Sequence, residues 1–249
     1  MQPGLSNKIR SIIIWIRSAL LIIGWVPLLA VIRLMDRSET RIKTGFWFRR
    51  LGRALTRANP FWTVAFSGSD RLPESRAYVV VSNHQSLADI PIISRVHWEM
   101  KWVAKEELFR LPVLGWLLKM AGDIPVDRGN RRSGGVMLLK AREYLEKGCP
   151  VMFFPEGTRS KDGTVGAFSP APFHLAIRTG VPVLPIAIEG SHQCLPKRSW
   201  VFGEPATIHL RVLPPVPTEG LTPADAENLC AQIRERIAGQ VREWSDRTG

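Results

Sequence analysis

Acidic residues are scarce in this chain: 22 Asp and Glu stand against 34 Lys and Arg, and the formal net charge is +12. A surface of that sign favours polyanionic partners, namely nucleic acid, anionic lipid headgroups or phosphorylated substrates, without choosing among them. Cysteine is scarce too. Cys149, Cys194 and Cys230 are widely spaced and form no Cys-x-x-Cys or Cys/His ligand pattern, which argues against a disulfide framework and a zinc site and suits a reducing cytoplasmic setting. A Gly-x-Ser-x-Gly elbow, a phosphate-binding P-loop and a His-Glu-x-x-His pair are all missing, so serine-hydrolase, P-loop and zinc-protease readings fail. Nor is there an interleaved aromatic and basic platform for nucleic acid, an internal repeat or a low-complexity segment.

What is present is enough apolar material, 45% of 249 residues, for one main α/β domain with an appendage. Residues 12–32 are almost wholly apolar apart from Arg17 near one end and Gly24 and Pro27 in the middle. The stretch is about long enough to cross a bilayer, so it belongs to a membrane; whether it crosses or re-enters stays open. No convincing small-x-small cleavage site follows, which makes a secretory signal the poorer reading. Lys8 and Arg10 precede the stretch, whereas Arg33, Arg37, Arg41 and Lys43 follow, and this imbalance places the downstream domain in the cytoplasm. Residues 39–58 read as a basic amphipathic helix, with Trp47, Phe48, Leu51, Ala54, Leu55 and Ala58 on one half and Arg49, Arg50, Arg53 and Arg57 on the other. That arginine half, with Ile42 and Phe46 on it, suits a headgroup layer or equally a solvated face.

From Asn59-Pro60 onwards short apolar runs alternate with turns and helical patterns. The expected organisation is therefore N-terminal membrane-associating helices over residues 1–58 and an α/β domain over 59–249, a mixed central sheet flanked by helices. Candidate strands are residues 61–66, 77–81, 101–104, 124–126, 151–154, 183–188 and 207–213. A helical stripe runs through Met137, Leu138, Ala141, Tyr144 and Leu145 and stops at Gly148. The last helix is capped by Thr222, carries Pro223 in its first position and buries Ala226, Cys230, Ile233, Ile237, Val241 and Trp244.

Polar residues gather where strands end. Ser82-Asn83-His84-Gln85-Ser86-Leu87-Ala88-Asp89 follows a valine-rich run, at the edge where an α/β sheet presents reacting groups. His84 can take a proton from a hydroxyl if a second group orients its ring, and Asp89 can be that group. On a continuous helix the two would point about 140° apart, so a bend is needed, and Pro91 places the helix start near Ile90. Asp89 as a plain helix cap is the competing explanation. The second constellation, Phe154-Pro155-Glu156-Gly157-Thr158-Arg159-Ser160, looks like a phosphate cradle, or else a turn closed by a surface arginine. In the third, Gly122-Asp123-Ile124-Pro125-Val126-Asp127-Arg128-Gly129, Arg128 emerges from a strand where Asp127 can pair with it. The fourth, Val181-Pro182-Val183-Leu184-Pro185-Ile186, reads best as a core strand.

In order and spacing these four stretches resemble the 1-acyl-sn-glycerol-3-phosphate acyltransferase family in its PlsC-like form, among the glycerolipid acyltransferases marked by an Asn-His-x4-Asp box. The resemblance implies direct acyl transfer, with His84 as general base on a lysophospholipid hydroxyl and Asp89 supporting the imidazole. It implies that Glu156, Gly157, Thr158 and Arg159 bind the glycerol phosphate, that Lys105 and Arg128 add positive charge, and that the Pro185 stretch helps line an acyl channel. No metal and no cofactor are implied; the partners are the lysophospholipid acceptor, acyl-CoA or acyl carrier protein as co-substrate, and membrane lipids, with no nucleic acid. The setting implied is the inner membrane, with the catalytic domain on its cytoplasmic face. One segment departs from the family: a Phe-Lys-Lys-Gly-like stretch is replaced by Phe168-Ser169-Pro170-Ala171-Pro172, which leaves another lysolipid, such as lyso-ornithine lipid, as the alternative acceptor. A non-catalytic basic membrane-binding protein is the distant alternative. His97, His174, His192 and His209 have no partner at ligand spacing and read as structural or solvent-facing.

Overall fold

The computed structural model describes residues 4–68, 77–96 and 98–248, so His97 lies outside the described residues. Each apolar run supplies one strand: β1 Trp62–Ser67, β2 Val79–Ser82, β3 Lys101–Lys105, β4 Ile124–Val126, β5 Val151–Phe153, β6 Val183–Glu189 and β7 Ala206–Val212. They form one sheet in the order β1-β7-β6-β2-β5-β3-β4. The sheet is mixed, because β6 and β7 run antiparallel while the other neighbours are parallel. Strands β2, β5 and β6 are buried along their whole length, as continuous apolar runs must be when helices cover both faces.

The period of two along β2 divides the core. Val79 and Val81 face a layer built from α5 (Arg131–Glu146), α6 (Ala171–Thr179) and α8 (Ala226–Thr248). Tyr78 and Val80 face the opposite layer, where Ile92 and Ile93 of α3 (Asp89–Ile93) pack with Met152, Leu184 and Ile186. The expected Thr222 cap is a reciprocal box on the short turn Pro223–Asp225 that leads into α8: the Thr222 backbone N–H donates to the Asp225 carboxylate, and the Asp225 N–H donates back to the Thr222 side chain. Helix α6 was not visible as a pattern. Its start is Pro170-Ala171-Pro172, and proline suits a helix's first turn because the N–H it lacks would have no partner there.

Helices α1 (Leu5–Met35) and α2 (Ile42–Ala58) precede the sheet and pack on each other, with α2 also against α3. Helix α1 is long and apolar enough to cross a membrane, yet both of its ends are tied to the domain. Near the N-terminus Asn7 donates to Glu204, Arg10 to the Gly203 carbonyl and the Trp15 indole to the Trp200 carbonyl. Near the other end the Trp25 indole donates to the Trp47 carbonyl, and Leu29 is buried with Phe48, Leu51 and Leu117. Ile9, Ile12, Ile16, Leu20 and Ile23 are left exposed along the outer face. A fourth helix, α4 (Leu114–Ala121), packs beneath α1 and α2.

The arginine half of α2 is not uniform, and this corrects the expectation from its charge pattern. Arg50 and Arg57 are exposed, but Arg49 is buried, ion-paired with Asp123 and 3.6 Å from Glu99, which also holds Lys101 at 2.7 Å. Removing one partner from such a group typically costs about 3–5 kcal/mol, so α2 is fixed to the sheet edge by charge as well as by Phe48 and Leu51.

The bend between α1 and α2 is held by one carboxylate. Asp36 Oδ1 accepts from the Ser38 N–H and hydroxyl, and Oδ2 from the Thr44 N–H and hydroxyl. Burial alone would raise the Asp36 pKa, but the four hydrogen bonds outweigh it and hold it at about 2. A depressed folded pKa stabilises the fold above the ordinary value of 3.8, and that stability is lost as pH falls through about 2. Asp36→Asn should therefore lower unfolding free energy by about 2 kcal/mol near pH 6, a gap that closes toward pH 2. Urea unfolding in mild detergent across this range measures it; a pH-independent gap would contradict the assignment.

Candidate active site

The site is built at the C-terminal ends of β2, β5 and β6. After Ser82 the chain leaves β2, and the Asn83 side chain takes over the pairing: its Nδ2 donates to the Ile188 carbonyl at 2.9 Å and its Oδ1 accepts from the Ile188 N–H at 3.0 Å. This peptide-like exchange carries the contact with β6 one residue further and sets where His84 stands. Residues 85–88 form the expected bend, and α3 begins at Asp89, one residue earlier than the proline suggested.

The bend brings His84 and Asp89 together. The imidazole Nδ1 lies 2.7 Å from Asp89 Oδ2, which also accepts from the backbone N–H groups of Gln85 at 2.7 Å and Ser86 at 2.9 Å. The second oxygen, Oδ1, accepts from the Ser191 hydroxyl at 2.5 Å. An ionised carboxylate can only accept, so Nδ1 carries the proton and the Nε2 lone pair is left unused. His84 is 8% exposed and Asp89 is fully buried. Capping does not account for Asp89: its carboxylate turns back to residues 84–86, and α3 has no side-chain cap.

The 154–160 loop holds the same histidine from the other side. Glu156 Oε1 accepts from the His84 N–H at 2.9 Å, and the Ser160 N–H donates to the His84 carbonyl at 2.7 Å. The Phe154 ring stacks on the imidazole with centroids 4.0 Å apart. Glu156 Oε2 accepts from the Gly166 N–H at 3.2 Å, so both oxygens of this carboxylate are occupied by backbone. Burial pushes the Glu156 pKa up, and the two N–H groups pull it part of the way back. Gly157 adopts φ +67° with open space where a Cβ would stand, so its requirement is conformational.

The structure gathers several cations here and leaves one aside. Arg128 donates to the Gly157 carbonyl rather than pairing with Asp127, whose carboxylate accepts from the Gly129 N–H. Lys197, which no motif singled out, donates to the Thr158 hydroxyl at 3.2 Å and the Arg159 carbonyl at 2.5 Å. The Arg159 guanidinium is half-buried and makes no hydrogen bond or ion pair among the described residues, which leaves it available to an anion. Lys105 sits at the end of β3 in an exposed pair with Glu107, 2.7 Å away.

Behind α3 lies an apolar cavity of about 120 Å³. Ile90 and Pro91, directly after Asp89, form one wall; Leu51 and Gly52 of α2, Ile22 of α1 and Leu114 of α4 form others. Pro185 does not line it; it is buried within β6, in register with Val81 of β2. Of the remaining histidines, His209 stacks on Trp244, His174 has a buried Nδ1 without a partner, and His192 lies 3.4 Å from Gln85 Oε1 beside the site, unlike the isolated residue its spacing suggested. Among the described residues no group of three or more His, Cys, Asp and Glu could hold a metal ion.

The Acyltransferase family model matches residues 63–189. A chloroplastic 1-acyl-sn-glycerol-3-phosphate acyltransferase of Brassica napus is 38% identical over 182 residues, 72% of this chain and 51% of that protein. The alpha form of 1-acyl-sn-glycerol-3-phosphate acyltransferase from Homo sapiens is 37% identical over 188 residues, 73% of this chain and 65% of that protein. The chain thus spans about half the length of the plant relatives it matches. The crystal structure of the 1-acyl-sn-glycerophosphate (LPA) acyltransferase PlsC from Thermotoga maritima is similar at a TM-score of 0.81 and 29% identity, covering 96% of this chain and 98% of that one.

The doubly used Glu156 carboxylate yields a stability test. Glu156→Ala leaves the His84 and Gly166 N–H groups without their acceptor and should cost about 3–6 kcal/mol, two hydrogen bonds to a charged group. Glu156→Gln, which keeps one acceptor oxygen, should cost roughly half as much. Equal losses in denaturant unfolding would show that the clamp is not what Glu156 supplies.

Proposed function

Because the chain belongs to the acyltransferase family whose model spans residues 63–189, we propose that it moves a fatty acyl group from an acyl-CoA or acyl-carrier-protein thioester to the sn-2 hydroxyl of 1-acylglycerol 3-phosphate, making phosphatidic acid. The observation that carries this reading is the His84–Asp89 pair, 2.7 Å apart, joined through the Ser160 N–H to the loop that bears the unpaired Arg159. One group can take a proton and the other can receive a phosphate, and a single loop holds them in place.

In the proposed reaction His84 Nε2 removes the hydroxyl proton as the oxygen attacks the thioester carbonyl. Asp89 stabilises the imidazolium that forms. When the tetrahedral intermediate collapses the C–S bond breaks, and the imidazolium proton passes to the departing sulfur, so the proton account closes without a metal or cofactor. Arg159 takes the acceptor phosphate, with the Gly157–Thr158 backbone beside it and Lys197 and Arg128 bracing the loop. Glu156 acts by holding the His84 backbone. Lys105 adds only to the general positive field. Part of the acyl chain enters the apolar cavity behind α3, and Pro185 keeps β6 in place beside β2.

The site faces a membrane in this reading. A helix of 31 residues is about 46 Å long, and tying both of its ends to the domain leaves it lying along the surface with one apolar face outward. This arrangement suits insertion into one leaflet, and the cations Arg33, Arg37, Arg41 and Lys43 suit an anionic headgroup layer, which in this reading is the cytoplasmic leaflet of the inner membrane. The lysine-free Phe168–Pro172 segment bears on the acceptor, because the Ser169 N–H donates to the Pro155 carbonyl at 2.9 Å, directly beneath the phosphate-binding loop. A lysolipid with another headgroup remains the second reading for that reason.

Both readings are tested by purified protein, defined lysolipids and both thioester donors. His84→Ala should lower kcat by about 10²–10⁴-fold, the range of a lost general base, while vesicle binding stays unchanged. Arg159→Ala should raise KM for 1-acylglycerol 3-phosphate by about tenfold or more and leave KM for an acceptor without phosphate unaltered. Full turnover by His84→Ala would refute the enzyme assignment, whereas indifference to the phosphate would favour the second acceptor.

A further inference from the structure

We infer that Ser191 is a positioning residue for the acyl transfer, fixing the Asp89 carboxylate and through it the protonation state of His84. The inference rests on the acyltransferase reading of the His84 site and deepens it. Ser191 lies outside all four motif stretches. It opens the short helix α7 (Ser191–Cys194) after Gly190, whose φ of +87° turns the chain sharply at the end of β6.

Hydrogen-bond directions around Ser191 are forced by the inventory of donors and acceptors. The Gln85 amide nitrogen donates to Glu189 Oε2 at 2.6 Å and to the Gly163 carbonyl at 2.8 Å, which uses both of its hydrogens. Gln85 Oε1 therefore faces the Ser191 hydroxyl at 3.3 Å as an acceptor, and His192 Nδ1 approaches it from 3.4 Å. Ser191 has a single proton and two acceptors within reach. The closer, charged one is Asp89 Oδ1 at 2.5 Å, and charge-assisted bonds are the stronger kind. Ser191 and Asp89 are both fully buried, so water does not replace this bond when it is lost.

The geometric consequence is specific. Oδ2 of Asp89 takes three N–H donors, all from residues 84–86 of its own bend, whereas Oδ1 takes only Ser191, from another element. Without that fourth contact Oδ1 is buried with no donor, and the carboxylate gains by turning about its Cβ–Cγ bond to share the three N–H groups between its two oxygens. The Nδ1–H form of His84, which leaves Nε2 as the base, is then less favoured. Glu189 and His192 line an open polar hollow beside α8, and Gln85 separates it from the dyad.

The test compares the full-length parent, Ser191→Ala and Ser191→Thr in detergent micelles. Acyl transfer gives kcat and KM, and ¹⁵N-histidine spectra give the His84 tautomer, with His84→Ala used to assign the signal. Ser191→Ala should lower kcat by about 10- to 100-fold, the loss expected for one hydrogen bond to a charged acceptor, with KM within about twofold of the parent. Its His84 signal should shift away from a pure Nδ1–H form, and Ser191→Thr should recover most of both. The inference is overturned if Ser191→Ala keeps kcat within about twofold of the parent. It is equally overturned if kcat falls while the tautomer is unchanged and threonine fails to rescue, since the loss then comes from packing. A parent that transfers no acyl group would sink the acyltransferase reading instead, and the tautomer spectra would still decide whether Ser191 orders the dyad.

Discussion

The structure turns on one buried carboxylate that receives four donors. Asp89 is inaccessible to water, and an unpartnered charge there would cost several kcal/mol. It persists because the bend at residues 85–88 aims two backbone N–H groups and the His84 ring at one oxygen while α7 aims a hydroxyl at the other. Every part of that arrangement depends on where β2 and β6 end. The Asn83 side chain couples those two ends by exchanging hydrogen bonds with Ile188, so the motif's asparagine sets geometry while its histidine and aspartate offer chemistry.

A second group of charges fixes the N-terminal helices to this centre. Arg49, Asp123, Glu99 and Lys101 are buried together where α2 meets the sheet edge. Burial raises the Glu99 pKa, and Lys101 and Arg49 oppose that rise. The Arg49 guanidinium also lies over the Trp102 ring, Trp102 packs on Phe154, and Phe154 stacks on His84. A continuous set of packed rings therefore joins α2, which carries Arg49, to the imidazole, with the apolar cavity alongside. In the proposed reaction, the part of the fatty chain that enters this cavity would lie against helices and strands rather than loops.

Much of this was legible in the residues themselves. All seven strands were, because short runs such as Val79 to Val81 and Val183 to Ile188 are rich in β-branched residues and end at polar turns. Their spatial order was not legible, since parallel neighbours such as β2 and β5 are distant in sequence and nothing local records which of them pair. The Pro170-Ala171-Pro172 start of α6 gives no helix signal of its own, because proline marks loops and helix first turns alike. Arg49 was misplaced for a related reason: helical periodicity assigns a face, and a buried ion partner such as Asp123 is invisible to it. His84, Asp89 and Arg159 stood out through motif spacing. Ser191, Lys197 and His192 did not, because each acts across about a hundred residues or from an unpatterned loop, and only folding brings it to the site.

The central proposition is that one acceptor molecule spans His84 and Arg159. It is tested most directly by a structure with a non-reactive 1-acylglycerol 3-phosphate analogue bound in lipid or detergent. The account predicts the sn-2 hydroxyl about 3 Å from His84 Nε2 and the phosphate on the Arg159 guanidinium, within the same bound molecule. A phosphate seated away from Arg159, or a hydroxyl that cannot reach Nε2, would contradict it.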